Sequence, residues 1–96
     1  MTSIALVDDE QSILTSVSLS LESEGFEVDT FLNGVEALKA LETKSYDLGL
    51  FDIKMPKMDG NELLTKVRSS KIDKLKELPI IFLTSKDQEQ DEIIGL

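Results

Sequence analysis

The chain has no cysteine and no histidine among its 96 residues. Disulfides, Cys/His zinc sites, iron–sulfur clusters and histidine-based nucleophilic triads are therefore excluded by inventory. Any metal held here is a hard cation bound through oxygen. Basic residues are scarce as well: 10 Lys and Arg stand against 19 Asp and Glu, a formal net charge of −9. That balance argues against direct contact with nucleic acid or with an anionic membrane surface, since both reward positive charge. No apolar run exceeds five residues, and the N-terminus carries neither a basic region nor a long hydrophobic one. The expectation is no signal peptide, no membrane span and a reducing, cytoplasmic location. With 41% apolar residues, the length suits one small domain, residues 1–96, around a single core.

What is present is organised around Leu48-Gly49-Leu50-Phe51-Asp52, an apolar run that stops on a carboxylate. A run without polar alternation is how a strand buried on both faces is written. The Lys54-Met55-Pro56 that follows cannot extend it, because Pro lacks the donor and holds Met55 extended. Ile4-Ala5-Leu6-Val7 repeats the pattern and ends on Asp8-Asp9-Glu10. Between them, Ile13, Leu14, Val17 and Leu21 fall at helical spacing up to Gly25, a residue suited to a left-handed C-terminus. Phe26 to Phe31 alternates as a half-buried edge strand does. Asn33-Gly34 opens a second helix, through about Thr43, that turns Val35, Leu38 and Leu41 inward. Asp59-Gly60-Asn61 supplies the start of a third, with Leu63, Leu64 and Val67 as its stripe, to about Ser69. Ser70 to Leu78 is Lys-rich, reads as mostly solvated with a ragged helical end, and carries no recognisable motif. Ile80-Ile81-Phe82-Leu83 is a fourth strand that halts on Thr84-Ser85-Lys86, and Asp87 to Leu96 begins acidic, as a helix N-terminus prefers.

Strands alternating with helices over short connections specify an α/β fold, a parallel sheet with helices on both faces. With the alternating second strand at the edge, the order is 2-1-3-4, and the first and third strands are neighbours. Neighbouring strands lie about 4.8 Å apart, so Asp8 and Asp9 meet Asp52 in the crevice where such sheets bind ligands. Crowded carboxylates repel, and a divalent hard cation relieves them. Mg²⁺ suits best, since it takes one or two carboxylates plus a phosphate. A carboxylate can then attack a phosphoryl group, with Thr84 placed to offer a hydroxyl. Taken singly, these residues have plainer readings. Asp8 or Asp9 caps the following helix, Thr84 is a common strand former, Lys54 and Lys86 are solvated charges, and Asp59-Gly60 is turn chemistry. The joint pattern, acid ending the first and third strands and hydroxyl ending the fourth, favours the site.

Leu6-Val7-Asp8-Asp9-Glu10, Phe51-Asp52-Ile53-Lys54-Met55-Pro56-Lys57-Met58-Asp59-Gly60 and Phe82-Leu83-Thr84-Ser85-Lys86 resemble, in order and spacing, the receiver domain of two-component response regulators. The wording around Ile53 to Pro56 and from Phe82 onward is most similar to the ChvI-type regulators of the OmpR/PhoB winged-helix group. The resemblance implies a flavodoxin-like, three-layer fold. It implies a signalling module rather than an enzyme, in which Asp52 accepts a phosphoryl group from the phosphohistidine of a sensor histidine kinase and switches a DNA-binding regulator. It further implies that Asp9, Asp52 and the backbone carbonyl of Lys54 bind Mg²⁺, with Asp8 holding the metal or its waters. Thr84 would be the switch hydroxyl, and Lys54 and Lys86 would flank the site and tune loss of the phosphoryl group.

Receivers continue with a fifth strand bearing an essential Lys, an aromatic switch residue just before it and a fifth helix. This sequence stops before them, so a receiver cut short is expected. The competing reading is an interaction-only fragment uncoupled from phosphorylation. An Asp-based phosphatase is disfavoured because Asp8 and Asp9 are adjacent rather than separated by one residue, and nucleotide binding is disfavoured by the lack of a Gly-rich phosphate loop. In a shortened sheet, Ile80 to Leu83 would be an apolar edge, a template for pairing with a second copy. The expectation is a homodimer. Light scattering on the 96-residue chain checks it, and a cooperative, folded monomer at micromolar concentration would remove it.

Overall fold

A computed structural model describes residues 1–83. Along them run β1 (Ser3–Val7), α1 (Gln11–Ser23), β2 (Glu27–Phe31), α2 (Gly34–Thr43), β3 (Leu48–Asp52), α3 (Gly60–Arg68), α4 (Asp73–Lys76) and β4 (Ile80–Leu83). The strands form one parallel sheet in the order β2-β1-β3-β4. Thr84, Lys86 and the helix expected from Asp87 lie outside the described residues.

Burial follows sheet position. All of β1 is buried and β3 is buried from Gly49 onward, whereas β2 at the edge is only partly covered. Successive side chains of β1 point to opposite faces, and this divides the core. Ala5 and Val7 pack with Ala37, Leu41, Phe51, Leu63 and Val67 under α2 and α3. Ile4 and Leu6 pack with Leu14 and Leu50 on the α1 side. The result is three layers. Ile81, one residue out of phase with Ile80 and Phe82, stays 51% exposed.

Helix ends are set by local chemistry. Gly25 adopts φ 95. Its N–H donates to Glu22 O at 3.0 Å and the Phe26 N–H to Leu21 O at 3.2 Å, a Schellman closure that only a residue tolerant of the left-handed region makes cheaply. Asn33 caps α2 by accepting the Glu36 N–H at 2.9 Å, and Asp59 caps α3 by accepting the Glu62 N–H at 2.8 Å. Each cap contributes about 1 kcal/mol.

Ser70 to Leu78 is mostly exposed with a short helix, as read from the sequence, but two of its residues are not. Its lysines are exposed, but Leu75 and Leu78 are buried against the α2 and α3 face. Leu75 lies in α4 and Leu78 follows two residues past its end, turned back toward it by the Leu78 N–H donating to Leu75 O at 3.1 Å. Arg68 then pins the segment, Nη1 donating to Lys76 O at 2.9 Å and to Leu78 O at 2.8 Å. No helix among the described residues is long and apolar enough to cross a membrane.

At the β2 edge, Asp29 Oδ2 accepts from Lys44 Nζ at 2.8 Å and from the Tyr46 hydroxyl at 2.6 Å. The Lys44 bond, then the Tyr46 bond, hold the Asp29 carboxyl below its ordinary value of 3.8. Burial, then the same carboxylate, pushes the Tyr46 hydroxyl up. Asp29 is a depressed carboxylate, so its contribution is complete above about pH 3.8 and is lost as pH falls through the lower folded value. Because Asp29 is partly solvated, Tyr46→Phe is expected to cost only about 1 kcal/mol at neutral pH. Denaturant unfolding of both proteins should show that difference shrinking as pH falls from 3.8 through the lower folded value, where the acceptor loses its charge.

Candidate functional site

Parallel pairing brings the carboxyl ends of β1 and β3 side by side. Val7 stands opposite Phe51, and the next residue of each strand is an aspartate. The Asp8 N–H donates to Phe31 O at 3.1 Å, which continues the β1–β2 ladder one step and anchors the turn into α1. Asp8 Oδ1 accepts the Glu10 N–H at 2.9 Å, so its carboxyl is oriented by its own backbone. The N-cap of α1 is Glu10, whose own side chain makes no cap hydrogen bond.

One carboxylate oxygen from each of Asp8, Asp9 and Asp52 lies within 4.8 Å of the other two. Asp52 and Asp8 are buried, at 1% and 4% exposure, and Asp9 is exposed. Three like charges so close, two of them shielded from water, repel through a medium that screens poorly. Oxygen donors alone fit a small hard cation better than any soft or nitrogen-seeking metal. The donor set therefore suits Mg²⁺.

Lys54 lies exposed in the loop between β3 and α3. That loop is more ordered than its sequence suggests. Met55 and Met58 are each only 8% exposed and belong to the α2 and α3 core. Between them the Met58 N–H donates to Pro56 O at 2.8 Å, which closes a γ-turn on Lys57, held at φ 71. Sequence reasoning missed this turn, and no residue signals it, since Lys has no preference for positive φ. β4 delivers Leu83 opposite Asp52. Thr84, the sequence-predicted hydroxyl, is the next residue and lies outside the described part.

The family model for the response regulator receiver domain matches residues 4–96. Among curated proteins, the chain is 43% identical over 93 residues to the alkaline phosphatase synthesis transcriptional regulatory protein PhoP of Bacillus subtilis, covering 97% of this chain and 37% of that protein. It is 40% identical over 96 residues to a CpxR homolog of Haemophilus influenzae, covering all of this chain and 40% of that protein. The chain thus spans about two fifths of the length of these relatives. Among solved structures it is similar to the response regulator TrrA of Thermotoga maritima, at 38% identity with 97% of this chain and 77% of that one covered. One TrrA structure, a complex with Mg²⁺-BeF, gives a TM-score of 0.81. Another, a complex with the histidine kinase ThkA, gives 0.80.

Removing one of the three crowded charges should stabilise the fold when no divalent cation is present. For Asp52→Asn the expected gain in denaturant unfolding is about 1–3 kcal/mol at neutral pH, from the Coulomb term at this spacing. Equal or lower stability would mean that the repulsion is already neutralised.

Proposed function

The chain belongs to the response regulator receiver domain family, and on that footing we propose that it is a phosphoryl-accepting signalling module whose acceptor is Asp52. The observation that carries the reading is the convergence of Asp8, Asp9 and Asp52, with their oxygens within 4.8 Å of one another at one end of the sheet. Asp52 is the most buried of the three, so its ionised oxygen is poorly solvated and reactive toward phosphorus. Asp8, Asp9 and Asp52, with the backbone carbonyl of Lys54, would hold Mg²⁺, which when bound neutralises the charge on the transferring group.

In the proposed reaction, an oxygen of Asp52 attacks the phosphorus of a phosphohistidine on a sensor histidine kinase. A P–O bond forms as the P–N bond breaks. The imidazole nitrogen keeps the bonding electron pair and takes up a proton, and Asp52 is left as an acyl phosphate. Asp8, oriented by the Glu10 N–H, keeps its place while the new group arrives. Thr84 is assigned the switch hydroxyl, and Lys54 and Lys86 flank the site. This is one transfer and one switch rather than turnover, so the module is not classed as an enzyme.

The relatives named as transcriptional regulators support an output on gene expression through a longer protein. The ThkA–TrrA complex supports a kinase partner, and a cytoplasmic location fits both. The ChvI likeness remains part of the proposal, as does pairing with a second copy at β4, the outer strand among the described residues, beside the exposed Ile81. Incubation with Mg²⁺ and acetyl phosphate, followed by peptide mass mapping, tests the reading. One phosphoryl group is expected on the peptide holding Asp52 and none in Asp52→Ala. Labelling elsewhere, or labelling that persists in the variant, would remove the assignment.

A further inference from the structure

Two glycines from different helices close on the loop that leaves Asp52. Gly60 is the first residue of α3. A Cβ built there would run into the Asp52 carbonyl oxygen, and would stand 3.0 Å from Ile53 Cα and 3.1 Å from the Asp52 carbonyl carbon. The Gly60 N–H donates to Ile53 O at 2.8 Å. The N-terminus of α3 is thus laid directly on the backbone of the two residues at the end of β3. A side chain would lift it off, because the obstructing atoms are backbone and cannot rotate away.

Gly34, the first residue of α2, acts on the other end of the loop. A Cβ there would come within 3.0 Å of Met58 O and 3.1 Å of Met58 Cβ and Sδ. Met58 in turn closes the γ-turn on Lys57, an unfavourable φ for a lysine that the surroundings must enforce. Two close approaches therefore hold the loop at its first and its penultimate turns. The first is possible only without a side chain, and the second with one only if Met58 gives by a few tenths of an ångström.

We infer that Gly60 and Gly34 are positioning residues of the acidic site: by letting α3 and α2 close on residues 53–59 they fix the backbone leading from Asp52 through Lys54, and so set the affinity of the site for a divalent cation. The inference rests on the reading of Asp8, Asp9 and Asp52 as a metal site. It adds that the affinity is decided partly by residues with no ligand atom. Gly60 meets immovable backbone, whereas Gly34 meets a carbonyl and a flexible thioether, so the Gly60 effect is the larger.

The test is an Mg²⁺ titration of the whole chain, followed by amide shifts of Asp8, Asp9 and Asp52. It compares wild type with Gly60→Ala, Gly34→Ala and, as a control, Val67→Ala. Val67 is fully buried on α3, roughly 10 Å along the helix from Gly60, and although it shares a core with Met55 and Met58, its truncation weakens the fold without adding a clash against the loop backbone. Gly60→Ala should weaken Mg²⁺ by about tenfold or more, as loss of supporting contacts around metal ligands does. Gly34→Ala should weaken it less, and Val67→Ala should leave it unchanged. A folded Gly60→Ala chain that binds Mg²⁺ as wild type does, or an equal loss in Val67→Ala, overturns the inference. Where Gly60→Ala does not fold, Gly34→Ala decides, since alanine is welcome in a helix and wild-type affinity in that variant overturns it too. A wild-type chain that gives no response to Mg²⁺ overturns the metal reading itself.

Discussion

Parallel pairing of β1 with β3, in the register that sets Val7 against Phe51, is the constraint from which the rest of this site follows. Were the two strands antiparallel, Asp8 and Asp52 would lie at opposite ends of the sheet. A slip by one residue would turn Ala5 and Val7 toward α1 and Ile4 and Leu6 toward α2, emptying one core and overfilling the other. The buried alternation of β1 thus protects the register, and the register in turn sets the carboxylates. Packing far from the site determines its geometry.

The same site works against the fold that builds it. Burying Asp8 and Asp52 beside Asp9 brings like charges together where water screens them poorly. Such a cluster costs stability, and domains of this kind have only about 5–15 kcal/mol to draw on. The apolar layers on both faces of the sheet, the Schellman closure at Gly25, the caps at Asn33 and Asp59 and the pin made by Arg68 supply the surplus. A cation, or the partial neutralisation that comes with phosphoryl chemistry, acts on a place where the structure gathers like charges. This is a physical reason for a site of this kind to be responsive.

The loop from Ile53 to Asp59 shows how positioning and packing merge. Its two methionines reach into the core, its γ-turn holds Lys57 at positive φ, and helices on both sides approach it through glycines. A loop with little regular hydrogen bonding is thereby made stiff by close contact. The lysine side chains of the loop are exposed, while its backbone packs against the helices beside the site.

The strands, the first three helices and the sheet order were legible in the sequence, because uninterrupted apolar runs, helical spacing and the residues at helix ends are local signals. So was the gathering of acid at the ends of two strands, since Asp8 and Asp52 each stop an apolar run. The inward turn of Leu75 and Leu78 was not, because a Lys-rich stretch hides two apolar residues whose burial depends on Arg68 and on the face that α2 and α3 present. Nor was the bonding of Tyr46 and Lys44 to Asp29, residues far apart along the chain, or the left-handed Lys57. Those features are contacts between segments, and only the folded chain decides which segments meet. Sequence by itself settled which residues could end each element. Tertiary structure settled which of those ends share a space, because a carboxylate's chemistry depends on neighbours that periodicity does not identify.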